Sequence, residues 1–218
     1  MDLTLPQQVY LCAYAFNKGK FPATLRQFRG QRVRAAALAE LILSGQAETD
    51  GRRVRALGEK SPTDSFLASV WEELHARAPK KWMALVHNTA HKADEPIENQ
   101  LMTAGIIEKK AGRTFSLLRG SKVVLRREGE ARAVQQALRT WVTATPDPST
   151  LSLAQVALPV IVLESDATMG VVLDRSERRK YKNALDELAK KFDREIPGLR
   201  KALSNSVLSS RAVGGGWS

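Results

Sequence analysis

Leu38-Ala-Glu-Leu-Ile-Leu-Ser-Gly45-Gln-Ala-Glu48 leads into Asp50-Gly51-Arg52-Arg53-Val54, and Asn99-Gln-Leu-Met-Thr-Ala-Gly105-Ile-Ile-Glu108 leads into Ala111-Gly112-Arg113-Thr114-Phe115. The two segments follow one plan. Apolar residues at helical spacing (Leu38, Leu41 and Ile42; Ile97, Leu101 and Met102) build one buried face, and Gly45 and Gly105 supply the left-handed residue that ends such helices. Asp50-Gly51 then reads as a tight hairpin turn, because its central residues need positive φ, and Ala111-Gly112 is a weaker version of it. A helix, a glycine stop and a small hairpin make the shape of a winged helix.

Around this repeat the chain reads as helical. Leu5 to Phe16 forms a helix with Pro6 in its first turn, and Asn17 to Arg29 reads as a basic loop leading into the helix of Arg34 to Leu43. Ser61-Pro62-Thr63-Asp64 resembles a capping box ahead of Phe66, Leu67, Val70, Trp71 and Leu74. Short helices follow at Lys81–His87 and His91–Ala104. Phe115–Leu118, Arg119–Lys122 and Val123–Leu125 then read as strand, turn and strand. Helices over Glu130–Thr143, Leu151–Glu164, Ser176–Phe192 and Leu199–Ser209 complete a domain over 1–210, leaving 211–218 as a flexible tail. The expected fold is mainly α-helical: a single globular domain of about eight to ten helices with short β-hairpins.

Composition narrows the function. The 218-residue chain carries a formal charge of +11, which points to a polyanion, either nucleic acid or an anionic lipid surface. Basic residues concentrate in Lys18–Lys60 and Lys109–Arg139, around the two hairpins. One cysteine, Cys12, rules out an internal disulfide and fits a cytoplasmic setting. The start of the chain lacks a signal-peptide pattern, and the most apolar run, Leu153 to Leu163, is too short to span a bilayer, so any membrane contact is expected to be peripheral. No cofactor motif occurs. His87-Asn-Thr-Ala-His91 has a spacing able to hold zinc, but no glutamate follows His87 to act as a base and Lys92 intrudes, so no metal site and no enzyme are expected.

These residues resemble the Golgi phosphoprotein 3 family of peripheral membrane proteins. The resemblance covers about positions 3–205 and runs in order through Leu3-Thr-Leu-Pro6, Ala37-Leu-Ala-Glu-Leu41 with Ser44-Gly45, Pro62-Thr63, Trp82, Leu101–Ile107 and Asp147-Pro148. It implies an adaptor on the cytoplasmic face of a membrane, held by anionic lipid, phosphatidylinositol 4-phosphate in the family. A phosphomonoester needs convergent cations, to which arginine's planar fork is suited. Arg34 falls on the family's headgroup arginine, with Arg29 and Arg32 beside it. Leu25 stands where the family has a pocket tryptophan, making Phe28 the nearest aromatic. The family's two later basic positions fall at His91 and Asp94, with Lys92 adjacent. On this reading, Arg34→Ala should cost more vesicle binding than loss of a surface arginine such as Arg178.

The family's protruding hairpin, used for membrane contact and self-association, falls at Phe115–Leu125. Phe115, Leu117, Leu118, Val123 and Val124 would form its apolar sides and Arg119 and Lys122 its cationic tip, giving a homo-oligomer or membrane contact. An ordinary hairpin packed on its own domain is the alternative. An unidentified protein partner also follows from an adaptor role. The rival reading is a winged-helix nucleic-acid binder with Arg52, Arg53, Arg55 or Arg113 on phosphates. It is disfavoured by a would-be recognition helix made of Ala, Leu and Ile.

Overall fold

The computed structural model describes residues 3–76, 79–110, 122–144, 147–164 and 171–214. Ten helices and two small antiparallel sheets make up this part of the chain, with one apolar core running through it. At the centre is α2 (Ala23–Leu43), against which α1 (Leu5–Cys12), α3 (Ser65–His75), α4 (Trp82–His87), α5 (Asp94–Thr103), α7 (Leu153–Leu163) and α10 (Leu199–Gly214) all pack. Its second half explains that position: Ala35, Ala36, Ala37, Leu38, Ala39 and Leu41 are all sealed from solvent, and the small side chains let neighbouring helices approach. α7 is apolar on every side and is buried from Val156 to Leu163. α6 (Glu128–Thr143), α8 (Arg175–Lys180) and α9 (Lys182–Glu195) close the outer side.

Both helix–glycine–hairpin units are present, and each differs from its expected form. In the first, β1 (Ala47–Thr49) pairs with β2 (Arg53–Ala56) in the register Thr49↔Val54, and β3 (Lys80–Lys81) joins β2. The Asp50 N–H donates to the Arg53 carbonyl, so the central turn residues are Gly51 and Arg52 rather than Asp50 and Gly51. Asp50 precedes the turn and accepts the Arg52 and Arg53 N–H groups on its carboxylate. In the second unit, β4 (Ile107–Lys110) pairs with β5 (Lys122–Leu125), Ile107 opposite Leu125 and Lys110 opposite Lys122. The strand at 122–125 takes 107–110 as a partner. Phe115, Leu117, Leu118 and Arg119 lie outside the described residues.

Other boundaries moved for identifiable reasons. α1 stops at Cys12, short of Phe16, and a 3₁₀ turn follows at Phe16–Lys18. The expected loop at 17–29 is largely helix, because α2 starts directly after Pro22 and buries Leu25, Phe28 and Val33. Asp64, not Ser61, caps α3, accepting the N–H groups of Phe66 and Leu67. The helix expected over 91–104 divides into a 3₁₀ turn (Ala90–Lys92) and α5. That expected over 176–192 divides at Tyr181, and α10 continues to Gly214. Cys12 is buried, and burial pushes its thiol pKa up.

Candidate functional site

Phe28, Arg29, Arg32 and Arg34 all lie on α2, yet the arginines leave it in different directions. A helix advances about 100° per residue, so Arg29 and Arg32 flank one face while Arg34 lies well around the cylinder. All three are buried. For cations that is costly unless each finds compensation.

Arg29 finds it between α1 and α5. Its Nε and Nη2 donate to Asp94 Oδ2 at 3.0 and 2.6 Å, and Nη2 also reaches Glu98 Oε1 at 3.2 Å. Glu98 accepts the Tyr10 hydroxyl at 2.8 Å and pairs with Lys109 at 2.9 Å, while the Arg29 guanidinium lies 4.1 Å over the Tyr10 ring. Burial alone would lower the Arg29 pKa, but the Asp94 hydrogen bond, with the charges of Tyr10, Asp94 and Glu98, outweighs it and the value is raised. The aspartate at a basic position of the family thus faces an arginine supplied by α2. Arg34 turns towards α3 and α4. It donates from Nε to the Leu85 carbonyl at 2.8 Å and from Nη2 to Glu73 at 2.7 Å, and Lys80 takes the other Glu73 oxygen at 2.9 Å.

Arg32 has different company. Its pKa is pushed down to about 10, by burial first and then by the charges of Arg211 on α10 and Arg178 on α8. The Arg211 guanidinium lies 5.4 Å over the Phe28 ring, and Arg178 Nη2 donates to the Leu163 carbonyl at 2.7 Å. Gln31, one residue before Arg32, donates to Ser210 on the same stretch of α10 at 3.0 Å. Arg211 and Arg178 thus both act on Arg32, and Arg211 also covers Phe28, where α10 packs on α2. Arg211 is exposed, and one turn before it Leu208 is 54 % exposed, the one exposed large hydrophobic side chain among the described residues. Sequence reading missed Arg178, Leu208 and Arg211, which lie far from α2 in the chain and on helices with no motif.

His91 and Lys92 are exposed on the 3₁₀ turn that crosses α2 at Gly30. A Cβ at Gly30 would sit 2.0 Å from the Ala90 carbonyl oxygen, so the crossing requires glycine. Lys92 lines a wide cleft of about 1110 Å³ with Thr4, Gln7, Asp64, Glu95 and Gln100, a different surface from the one bearing Arg211. His87 Nδ1 sits 2.9 Å from Ser206 Oγ, and no metal-holding cluster occurs among the described residues. On β5, Lys122 is exposed, Val124 is half-buried, and Val123 and Leu125 are buried in the core. Arg52, Arg53 and Arg55 are exposed on the first hairpin, and Arg55 is paired with Glu48. Among the described residues no helix is long and apolar enough to cross a membrane.

The family model for Golgi phosphoprotein 3 (GPP34) matches residues 5–206, nearly the whole chain, and the chain belongs to that family. A comparison with curated proteins finds no match.

Proposed function

We propose that this member of the Golgi phosphoprotein 3 family is a non-enzymatic peripheral membrane adaptor that docks on anionic phospholipid headgroups. The observation that carries this reading is Arg211, exposed over Phe28 with Arg32 and Arg178 as neighbouring charges, and Leu208 exposed one turn before it. A headgroup phosphate placed beside Phe28 would accept charge-assisted hydrogen bonds from the exposed Arg211 guanidinium, with further positive charge close by on Arg32 and Arg178. An exposed leucine one turn from Arg211 suits the boundary between headgroups and acyl chains. Arg29 and Arg34 contribute less on this reading, because both are buried and hold carboxylates, whereas Arg211 is exposed. The order of effect expected from sequence is thereby reversed, with Arg178 and Arg211 placed ahead of Arg34.

Phosphatidylinositol 4-phosphate is the headgroup the family implies, and the cytoplasmic leaflet is the corresponding surface. The test is sedimentation with vesicles containing either that lipid or phosphatidylserine at equal total charge, beside duplex DNA at the same salt. The adaptor reading expects vesicle binding that falls when Arg178 and Arg211 are both replaced by alanine and is little changed by Arg52→Ala with Arg53→Ala. Loss through Arg52 and Arg53, with DNA bound more tightly than lipid, would transfer the function to the first hairpin and to nucleic acid. Self-association through the 115–125 segment belongs to the same proposal, and sedimentation velocity of a chain with 111–121 replaced by a short Gly/Ser linker tests it while sparing the β4–β5 pair and buried Val123 and Leu125.

A further inference from the structure

Between α1, the end of α2, α6 and the start of α7 lies a cavity of about 390 Å³, lined by Leu3, Leu5, Leu43, Trp141 and Ala154 with Gln8, Glu40, Ser44 and Gln155. In a chain of 34 lysines and arginines against 23 acidic residues, this lining contains one carboxylate and not a single cation. Glu40 is half-buried, and its Oε2 accepts the Leu5 N–H at 2.7 Å, at the first turn of α1. Among the described residues it has no ion-pair partner, and its other oxygen has none by hydrogen bond. Burial raises the Glu40 pKa, an effect the Leu5 N–H opposes and the charge of Asp64 reinforces.

Apolar walls, an indole and a single half-desolvated carboxylate are what an alkylammonium ion requires. The carboxylate would neutralise its charge, the Trp141 indole in the lining would supply aromatic contact, and the leucines would take the methyl or methylene groups. We propose that this cavity is a binding site for a compact alkylammonium cation, with Glu40 as counter-ion and Trp141 as its aromatic wall. The site is separate from the arginine cluster and of opposite charge, so it does not depend on the lipid reading. A free amine and a choline-type lipid headgroup present the same chemistry.

Choline chloride is the probe. Titrated into the full chain, it should shift the indole N–H resonance of Trp141, identified with Trp141→Phe, in a saturable way that sodium chloride at equal ionic strength does not reproduce. Glu40→Gln retains an oxygen for the Leu5 N–H and should weaken choline binding by about tenfold or more. Ala154→Lys leaves Glu40 in place and sets a tethered ammonium at an exposed position of the lining, so it should exclude choline even if Glu40→Gln were to unfold. Phosphatidylcholine vesicles that bind and are displaced by choline would assign the cation to a headgroup, and a choline shift without vesicle binding would assign it to a free amine. An unmoved Trp141 resonance at about 100 mM choline, or unchanged affinity in folded Glu40→Gln or Ala154→Lys, would overturn the proposal.

Discussion

Arg29 and Arg32 are three residues apart on one helix, equally buried, and differ in what surrounds them. Arg29 faces two carboxylates and an aromatic ring, so its charge is consumed in tying α1, α2 and α5 together. Arg32 has Arg211 and Arg178 as charged neighbours, and burial together with these two cations lowers its pKa. Arg34, paired with Glu73, belongs with Arg29. A count of arginines along α2 therefore overstates the binding site, because in a desolvated setting the partner decides whether a cation holds the fold or meets a ligand.

The comparison breaks first at Arg29. Arg29→Ala leaves Glu98 buried and next to Asp94 with their shared cation gone, and should cost about 3–5 kcal/mol of stability, read from the denaturant midpoint. A loss under about 1 kcal/mol would mean that the pair is not structural. Gly30→Ala should cost less, about 1–3 kcal/mol, as α2 is forced off the Ala90 carbonyl. Unchanged stability there would contradict the tight crossing.

A smaller effect separates Arg34 by pH. Burial would raise the Glu73 pKa, but the ion pairs with Lys80 and Arg34 outweigh it and the folded value lies below the ordinary one. The stabilisation is thus fully present above the unfolded carboxylate pKa and is lost as pH falls through the depressed folded value. Removing Arg34 should flatten the acid limb of the stability profile by under about 1 kcal/mol, since Lys80 remains and Glu73 is partly exposed. An acid limb parallel to that of the original chain would show that Arg34 does not set the Glu73 titration.

These arginines also mark how far the sequence could be read. The helix–glycine–hairpin plan was legible because Gly45 and Gly105 do adopt positive φ, at 70° and 69°, after apolar helical faces. The first half of α2 was not, because Arg29 and Arg32 occupy buried positions and erase the apolar periodicity that identifies a helix. The turn at Asp50 was legible in place but shifted by one residue, since the aspartate side chain caps the turn instead of entering it. Asp94 reads as an obstacle to phosphate from sequence alone; its partner on α2 emerges only when residues 65 positions apart meet. The neighbours of Arg32 were illegible for the same reason, as Arg178 and Arg211 come near it only through the tertiary fold, Arg211 by the packing of α10 against the central helix.

The most direct measurement of the division between structural and ligand-facing arginines is vesicle sedimentation of folded Arg211→Ala and Arg34→Ala, each compared with the original chain at one salt concentration. Arg211 is exposed, so its loss should leave stability within about 0.5 kcal/mol while reducing binding to anionic vesicles several-fold. Arg34→Ala should do the opposite, with a lower melting temperature and near-normal binding per folded molecule. Binding that falls with Arg34→Ala and persists in Arg211→Ala would contradict the account and place the headgroup at Arg34.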